Sequence, residues 1–207
     1  MKYFSVTELK KKGFKKIGKN VQISKNVNFY KFHGSIGSNC RIDDNCIFIG
    51  KISIGNHVHI AAFNLITAGS FNNKIIISNF TGIGPRSYIS CSTEDYLAND
   101  ISNPTIDKKF RKNIIFSDIF IGENVLVGTG CVIIPRNNKK IDIGNNVSIA
   151  ANTIISKTIK NNCVVYNPYV FKNNSLKIKK SINSKKIKKM PKNNLFYHIP
   201  KKNNQWY

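Results

Sequence analysis

A six-residue rhythm runs through most of this chain and leaves few folds open to it. Counted from each Ile-Gly pair, apolar residues return at every sixth position: Ile17, Ile23, Phe29; Ile36, Ile42, Phe48; Ile54, Ile60, Ile66; Ile77, Ile83, Ile89; Ile121, Val127, Ile133; Ile143, Ile149, Ile155. An amphipathic helix needs apolar spacings of three and four, and a meander of strands has no reason to hold a fixed count. A second register runs beside the first. Four residues after most leads comes a small or β-branched residue: Val21, Val27, Cys40, Cys46, Val58, Ser87, Val125, Cys131, Val147, Thr153. Gly and Asn fill the interval, as in IGKNV and IGENV, and both tolerate the positive φ of a tight corner. Short strands with a corner every six residues make a triangular coil, with the leads stacked inside. The rhythm therefore predicts an all-β solenoid, a parallel β-helix of hexapeptides.

Cysteine usage agrees with this. There are five cysteines and no CxxC, which argues against a disulfide framework or a zinc site. Cys40, Cys46 and Cys131 fall in the small-residue register and read as core filler. No run approaches the roughly 18 apolar residues of a membrane span. Residues 1–16 are basic but lack the apolar stretch of a signal peptide, so the expected location is cytoplasmic. The net charge of +23 suggests a polyanion partner, but 172–207 alone holds eleven lysines and no acid. Nucleic-acid binding is not expected; the basic tail reads as a solvated face, or as a weak contact for an acidic partner or membrane surface.

The rhythm breaks in three places: 67–76, the long polar stretch 92–113, and PRNNKK at 135–140. A long excursion thrown from a rigid coil tends to carry function. Ser5 and Glu8 in SVTE fit a capping box for a short helix before Gly13 that would close one end of the prism. Residues 175–190 are weakly amphipathic and suggest a helix lying along the prism, ended before Pro191. The chain thus divides into a capping segment (1–16), the coil (17–171) and a Lys/Asn-rich tail (172–207).

The C-terminal coils, IGENVLVGTGCVIIPRN…IDIGNNVSIAANTIISKTIKNNCVVYNPYVFK (121–172), resemble the hexapeptide-repeat acyltransferases, left-handed β-helix enzymes that use acetyl-CoA. The segments 5–24, 42–63 and 92–106 resemble the branch that acetylates sugars for bacterial surface polysaccharides, some while nucleotide-linked. That resemblance implies left-handed winding, a homotrimer with sites between subunits, and acetyl-CoA as co-substrate without a metal. Some positions depart from the family pattern: NPYV stands where NPAK is usual, and PRNN where PGV is usual. Glu94, beside Asp95, occupies the place at the start of the long loop where the O-acetyltransferases carry a catalytic His.

Acetyl transfer needs a nucleophile, an acceptor for its proton and donors for the oxyanion. A sugar hydroxyl wants a positioned base. An amine beside electron-withdrawing oxygen is partly neutral near pH 7 and attacks with less help; the α-amino reference is about 8. With Glu94 and Asp95 at the loop, the reading is N-acetylation of a nucleotide-linked amino sugar. The rival is O-acetylation with His59 as base, and a third reading is a non-catalytic scaffold or polyanion-binding protein. His59 precedes an inward lead and is expected at an outward-facing corner; a purely structural hydrogen bond explains it as well. His57 is the weaker candidate. The resemblance points to Gly128, Gly130, Ala150 and Ala151 as a small-residue strip for the pantetheine arm, with backbone hydrogen bonds. It points to Lys157 for the phosphates of CoA, and to Asn167 and Pro168 for its adenine end. Tight corner packing would explain the strip equally well. Arg86, Tyr88, Tyr96 and Arg111 flank the loop and suit a diphosphate and a base or sugar ring.

Overall fold

The computed structural model describes residues 2–69, 72–94, 96, 101 and 103–166, and the backbone of 169–172 and 175–178. Its coil is a triangular prism of parallel strands. The second face is one seven-stranded sheet: Val21–Ile23, Cys40–Ile42, His59–Ile60, Gly82–Ile83, Leu126–Val127, Ser148–Ile149 and Val164–Val165. The first face stacks Phe14–Ile17, 34–36, 52–54, Lys74–Ile77, Ile119–Ile121 and Ile141–Ile143. The third stacks 28–30, 47–49, Leu65–Thr67, Tyr88–Ser90, Val132–Ile133 and Ile154–Ile155. Two strands, Asn28–Ile36 and Ile47–Ile54, bend through the corner and join the third face to the first.

The lead residues fill the interior as their spacing requires. Ile23, Phe48, Ile60, Ile66, Ile89, Ile121 and Ile133 are wholly buried. Each such side chain contributes about 2 kcal/mol by leaving water. Only Ile17 and Phe29, at the first coil, are partly covered. There Phe4, Phe14, Phe29, Phe32 and Phe48 pack ring against ring, mostly edge to face with Phe29 stacked on Phe48, and plug the end of the prism. The helix α1 (Val6–Lys11) lies over that plug through buried Leu9, and Ser5 and Glu8 form the expected capping box. The Glu8 carboxyl is drawn down to about 2 by the Ser5 backbone and by Lys25.

The corners show why Ile-Gly recurs. The left-handed residue is the third after the lead: Asn20, Asn39, His57, Phe80, Asn124, Asn146 and Asn162 at the corner from first to second face. The glycine right after the lead serves another purpose. A Cβ on Gly37 would lie 2.6 Å from the Gly55 backbone, and one on Gly18 would lie 2.5 Å from Gly37. Glycine therefore lets successive coils close to the strand spacing of about 4.8 Å. The Gly and Asn of the interval are expected to make the bend, which on the Ile54 coil means Gly55 and Asn56; there His57 takes it instead, with φ +56. Asn56 instead accepts a hydrogen bond from the Ser38 N–H (2.8 Å), and Asn79 accepts one from the Asn56 N–H (2.8 Å), so the side chains tie coil to coil.

The cysteines are core filler. Cys40, Cys46 and Cys131 donate Sγ–H to the carbonyls of Gly55, Ala61 and Ala150 on the next coil. Burial pushes the Cys46 thiol up to about 11 and that of Cys91 to about 12. Ser175–Ile178 is extended and pairs antiparallel with Tyr169–Lys172, where a helix had been expected to begin. Leu176 and Ile178 alternate with Lys177, a period-two pattern that suits a strand. The rest of that expected helix lies outside the described residues.

Candidate functional site

The long excursion leaves at the corner between third and first faces and is tied at its root. Ser92–Thr93 pairs antiparallel with Ile115–Phe116. Just beyond, the Arg111 guanidinium meets Glu94 Oε1 at 3.0 Å, joining the outgoing limb to the returning one. Arg111 Nε and Glu94 Oε2 are buried there without a hydrogen-bond partner among the described residues. That ion pair spans the two limbs, so Glu94 is placed to hold the loop, and Arg111 is committed to Glu94. Asp95 lies outside the described residues. Tyr96 is 81 % exposed on the same loop.

His59 is not at a corner. It lies on the second face, one of an outward column that runs Gln22, Arg41, His59, Gly82, Leu126, Ser148, Val164. Its Nε2 stands 2.9 Å from Asp43 Oδ2, and Arg41 Nε stands 2.8 Å from Asp43 Oδ1. Burial alone would push the Asp43 carboxyl up, but hydrogen bonds from Arg41 and His59 outweigh it and hold the group below its ordinary value. Sequence reasoning missed Asp43. The signal was there: Asp43 follows the lead Ile42 where other coils of that corner carry Ser24, Ala61, Gly84, Gly128 and Ala150. His57 turns the neighbouring corner, its ring stacked 5.1 Å from Phe80 and its Nε2 3.3 Å from Asn39 Nδ2, and so braces coils.

In a triangular section the second face is opposite the corner where the loop departs. His59 and Glu94 therefore sit on opposite sides of one prism, and a single copy does not bring them together. Arg86 is exposed at the corner between second and third faces with φ +59, and Tyr88 lies on the third face between Leu65 and Val132. Gly128, Gly130, Ala150 and Ala151 gather at that same corner. Here the structure favours packing as the reason for small residues: a Cβ on Gly128 would lie 2.5 Å from the Ala151 nitrogen. The N–H groups of Gly128, Gly130 and Ala150 donate to Ile149, Pro85 and Val165, at 2.8 to 2.9 Å. Those three donors serve the ladder between coils instead of the expected pantetheine arm. Lys157 is exposed beyond the last full coil. Asn167 and Pro168 lie outside the described residues. Among the described residues no cluster of three potential metal ligands occurs.

Residues 33–68 match the family model described as bacterial transferase hexapeptide (six repeats). The chain is 38 % identical over 139 residues to an Escherichia coli protein described as dTDP-4-amino-4,6-dideoxy-D-glucose acyltransferase, covering 65 % of this chain and 70 % of that one. It belongs to the hexapeptide-repeat acyltransferases. Solved structures of AntD, an N-acyltransferase from Bacillus cereus, share the fold. One, a variant in complex with dTDP and coenzyme A, is 30 % identical with a TM-score of 0.72, covering 80 % of this chain and 86 % of that one. Another, in complex with dTDP and 3-hydroxybutyryl-CoA, is 29 % identical with a TM-score of 0.71, covering 88 % and 91 %. As a member of the hexapeptide-repeat acyltransferases, the chain is an acyl-transferring enzyme built as a left-handed β-helix, not a passive scaffold.

Proposed function

We propose that this acyltransferase moves an acyl group, acetyl being the simplest, from a CoA thioester to the amine of a nucleotide-linked amino dideoxy sugar destined for a surface glycan. The observation that carries this is the 38 % identity to a dTDP-amino-sugar acyltransferase over most of the coil. AntD, solved with dTDP and an acyl-CoA, supports the same pair of substrate classes. The chemistry is consistent with the residues. The neutral amine attacks the thioester carbon, the C–N bond forms as the C–S bond breaks, and the proton leaving nitrogen ends on the CoA sulfur. Asp95 would hold the amine, with Glu94 and Arg111 bracing the loop. Arg86 suits the diphosphate, and Tyr88 and Tyr96 suit flat parts of the acceptor. The corner of Gly128, Gly130, Ala150 and Ala151 suits a pantetheine arm lying against it, with Lys157, Asn167 and Pro168 toward the nucleotide end of CoA.

O-acylation is the second reading, and the Asp43 contact favours it to the extent that it equips His59 as a base. A homotrimer with sites between copies is also proposed. It is supported by the width of prism between His59 and Glu94, and by Phe63 and Phe80, exposed on corners flanking the second face. Among the described residues no helix is long and apolar enough to cross a membrane, and a cytoplasmic location is proposed. Nucleic acid is not among the proposed partners.

The test mixes the full chain with acetyl-CoA and a panel of nucleotide sugars, amino and neutral, and follows free thiol. Release with amino sugars supports the reading; release with hydroxyl-only acceptors moves the function to O-acylation. Asp95→Asn is expected to lower turnover more than His57→Ala, and the reverse ranking would mean the loop is not where the amine is held.

A further inference from the structure

Glu94 and Asp95 are consecutive in the chain, so two negative charges arrive together at the start of the excursion. Consecutive Cα atoms are about 3.8 Å apart, and charges that close are only partly screened at a Debye length of roughly 8 Å. One of the two is answered within the loop. Arg111 Nη2 donates to Glu94 Oε1 at 3.0 Å, and Arg111 Nη1 reaches the Pro104 carbonyl at 3.4 Å. The Arg111 side chain is 14 % exposed and that of Glu94 30 %, which makes this the most covered of the described ion pairs. A pair that only had to fasten two limbs could lie on the surface, as Asp107 and Lys109 do further out.

Unmet polar atoms mark the same spot. Thr93 Oγ1, Glu94 Oε2 and Arg111 Nε are three of the five buried side-chain polar atoms without a hydrogen-bond partner among the described residues. Such groups are costly to bury, so polarity is kept here beyond what joining the limbs requires. The charges around the pair have other engagements or face solvent. Asp107 pairs with Lys109. Asp118 accepts from the Lys74 N–H and from Asn73. The ammonium groups of Lys74 and Lys140 lie over the Phe120 ring. Lys112, Arg136 and Lys139 are exposed. Asp95, Asp100 and the Lys108 side chain lie outside the described residues. Arg111 is the covered cation that meets the acidic pair.

We propose that Arg111, acting through Glu94, sets the protonation of the acceptor amine. By cancelling one carboxylate it leaves the acidic pair with a single net negative charge, enough to hold the amine at Asp95 but too little to lock it as an ammonium. This rests on the reading of the chain as a nucleotide-amino-sugar acyltransferase. The amine attacks only when neutral, and the α-amino reference is about 8. A further negative charge nearby favours the ammonium, and a positive charge favours the neutral amine. Arg111 touches Glu94 and not the reacting atoms; it is a positioning residue.

The experiment follows thiol release by the full chain from acetyl-CoA with dTDP-4-amino-4,6-dideoxyglucose. It reads the acid limb of kcat against pH, which reports groups in the bound complex. Arg111→Gln leaves both carboxylates unopposed and should move that limb up by about half to one pH unit. Glu94→Gln leaves Arg111 unopposed and should move it down by a similar amount. The double variant removes one charge of each sign and should return the limb to the wild-type position, whatever its rate. Arg111→Lys keeps the charge and should hold the limb there while kcat falls. Loss of a mechanical brace would lower kcat in both single variants without driving their limbs apart. Limbs that stay in place, or shift in the same direction, overturn the proposal and leave the proposed function standing. If Arg111→Gln does not fold, Glu94→Gln against Arg111→Lys decides the matter by the same signs. A wild type that releases thiol only with hydroxyl acceptors, or with none, overturns both.

Discussion

Compare two stretches of the corner between the first and second faces. In the later coils it is a ladder of asparagines, Asn124, Asn146 and Asn162, each in left-handed conformation, with side-chain amides linked at 2.9 and 3.0 Å. In the middle coils the same positions hold His57 and Phe80, stacked ring on ring. The ladder needs nothing beyond what closes a turn cheaply. The aromatic pair costs more backbone strain and exposes apolar surface, yet it occurs on the coils that also carry His59 and Gly82. The repeat is obeyed where the coil only has to stand, and broken where something besides the coil must be met.

The largest test of that contrast compares two glycines. Gly128→Val forces a side chain into the Ala150–Ala151 backbone and should cost about 3 kcal/mol of stability, read by thermal or denaturant melting. The same change at Gly82, where a Cβ would meet only Leu126 Cδ1 at 3.5 Å, should cost none. Equal losses at both would mean that Gly82 is part of the scaffold after all. Next comes Asp43→Asn. If Asp43 positions His59 for chemistry, kcat measured well below the variant's melting point should fall roughly a hundredfold, and the pH profile of turnover should shift. An unchanged rate would reduce the Asp43–His59 contact to a brace between coils. Smaller still, Asn146→Ala places an ordinary side chain at φ +56 and should lose about 1 kcal/mol. Phe80→Asn should lose nothing, because it restores the residue that the rest of the column uses.

Most of the coil was legible from the residues alone because each lead and each small residue answers to a single local rule. Ile60 is buried for the same reason as Ile42 and Ile83, and its period shows it. The bend was read less well: glycine's freedom suggested it as the left-handed residue, but the close approach of the next coil is what Gly55 and Gly144 serve. The His59 site was half legible. Arg41 and His59 are 18 residues apart, one coil at the same register, so their adjacency could have been counted. Asp43, two residues after Arg41 on the same coil, joins them through a side chain that reaches across to His59 on the next coil, a contact no period encodes. The pairing of Glu94 with Arg111 belongs to an excursion that has left the repeat, where spacing in sequence no longer measures spacing in space.

Acid gives the finest separation of the two stretches. The Asp43 carboxyl is held below its ordinary value in the fold. Its contacts with Arg41 and His59 therefore contribute stability that is complete above the unfolded-chain carboxylate value, about 4. That contribution is lost as pH falls through the lower folded-state value. The melting difference between wild type and Asp43→Asn should thus shrink on going from pH 7 to about pH 3. The difference between wild type and Asn146→Ala should hold constant over the same range, because the Asn124–Asn146–Asn162 ladder contains no group that titrates there. A gap at Asp43 that ignores pH would show that its hydrogen bonds brace the coils without any help from charge, and the middle of the prism would then differ from its end in shape alone.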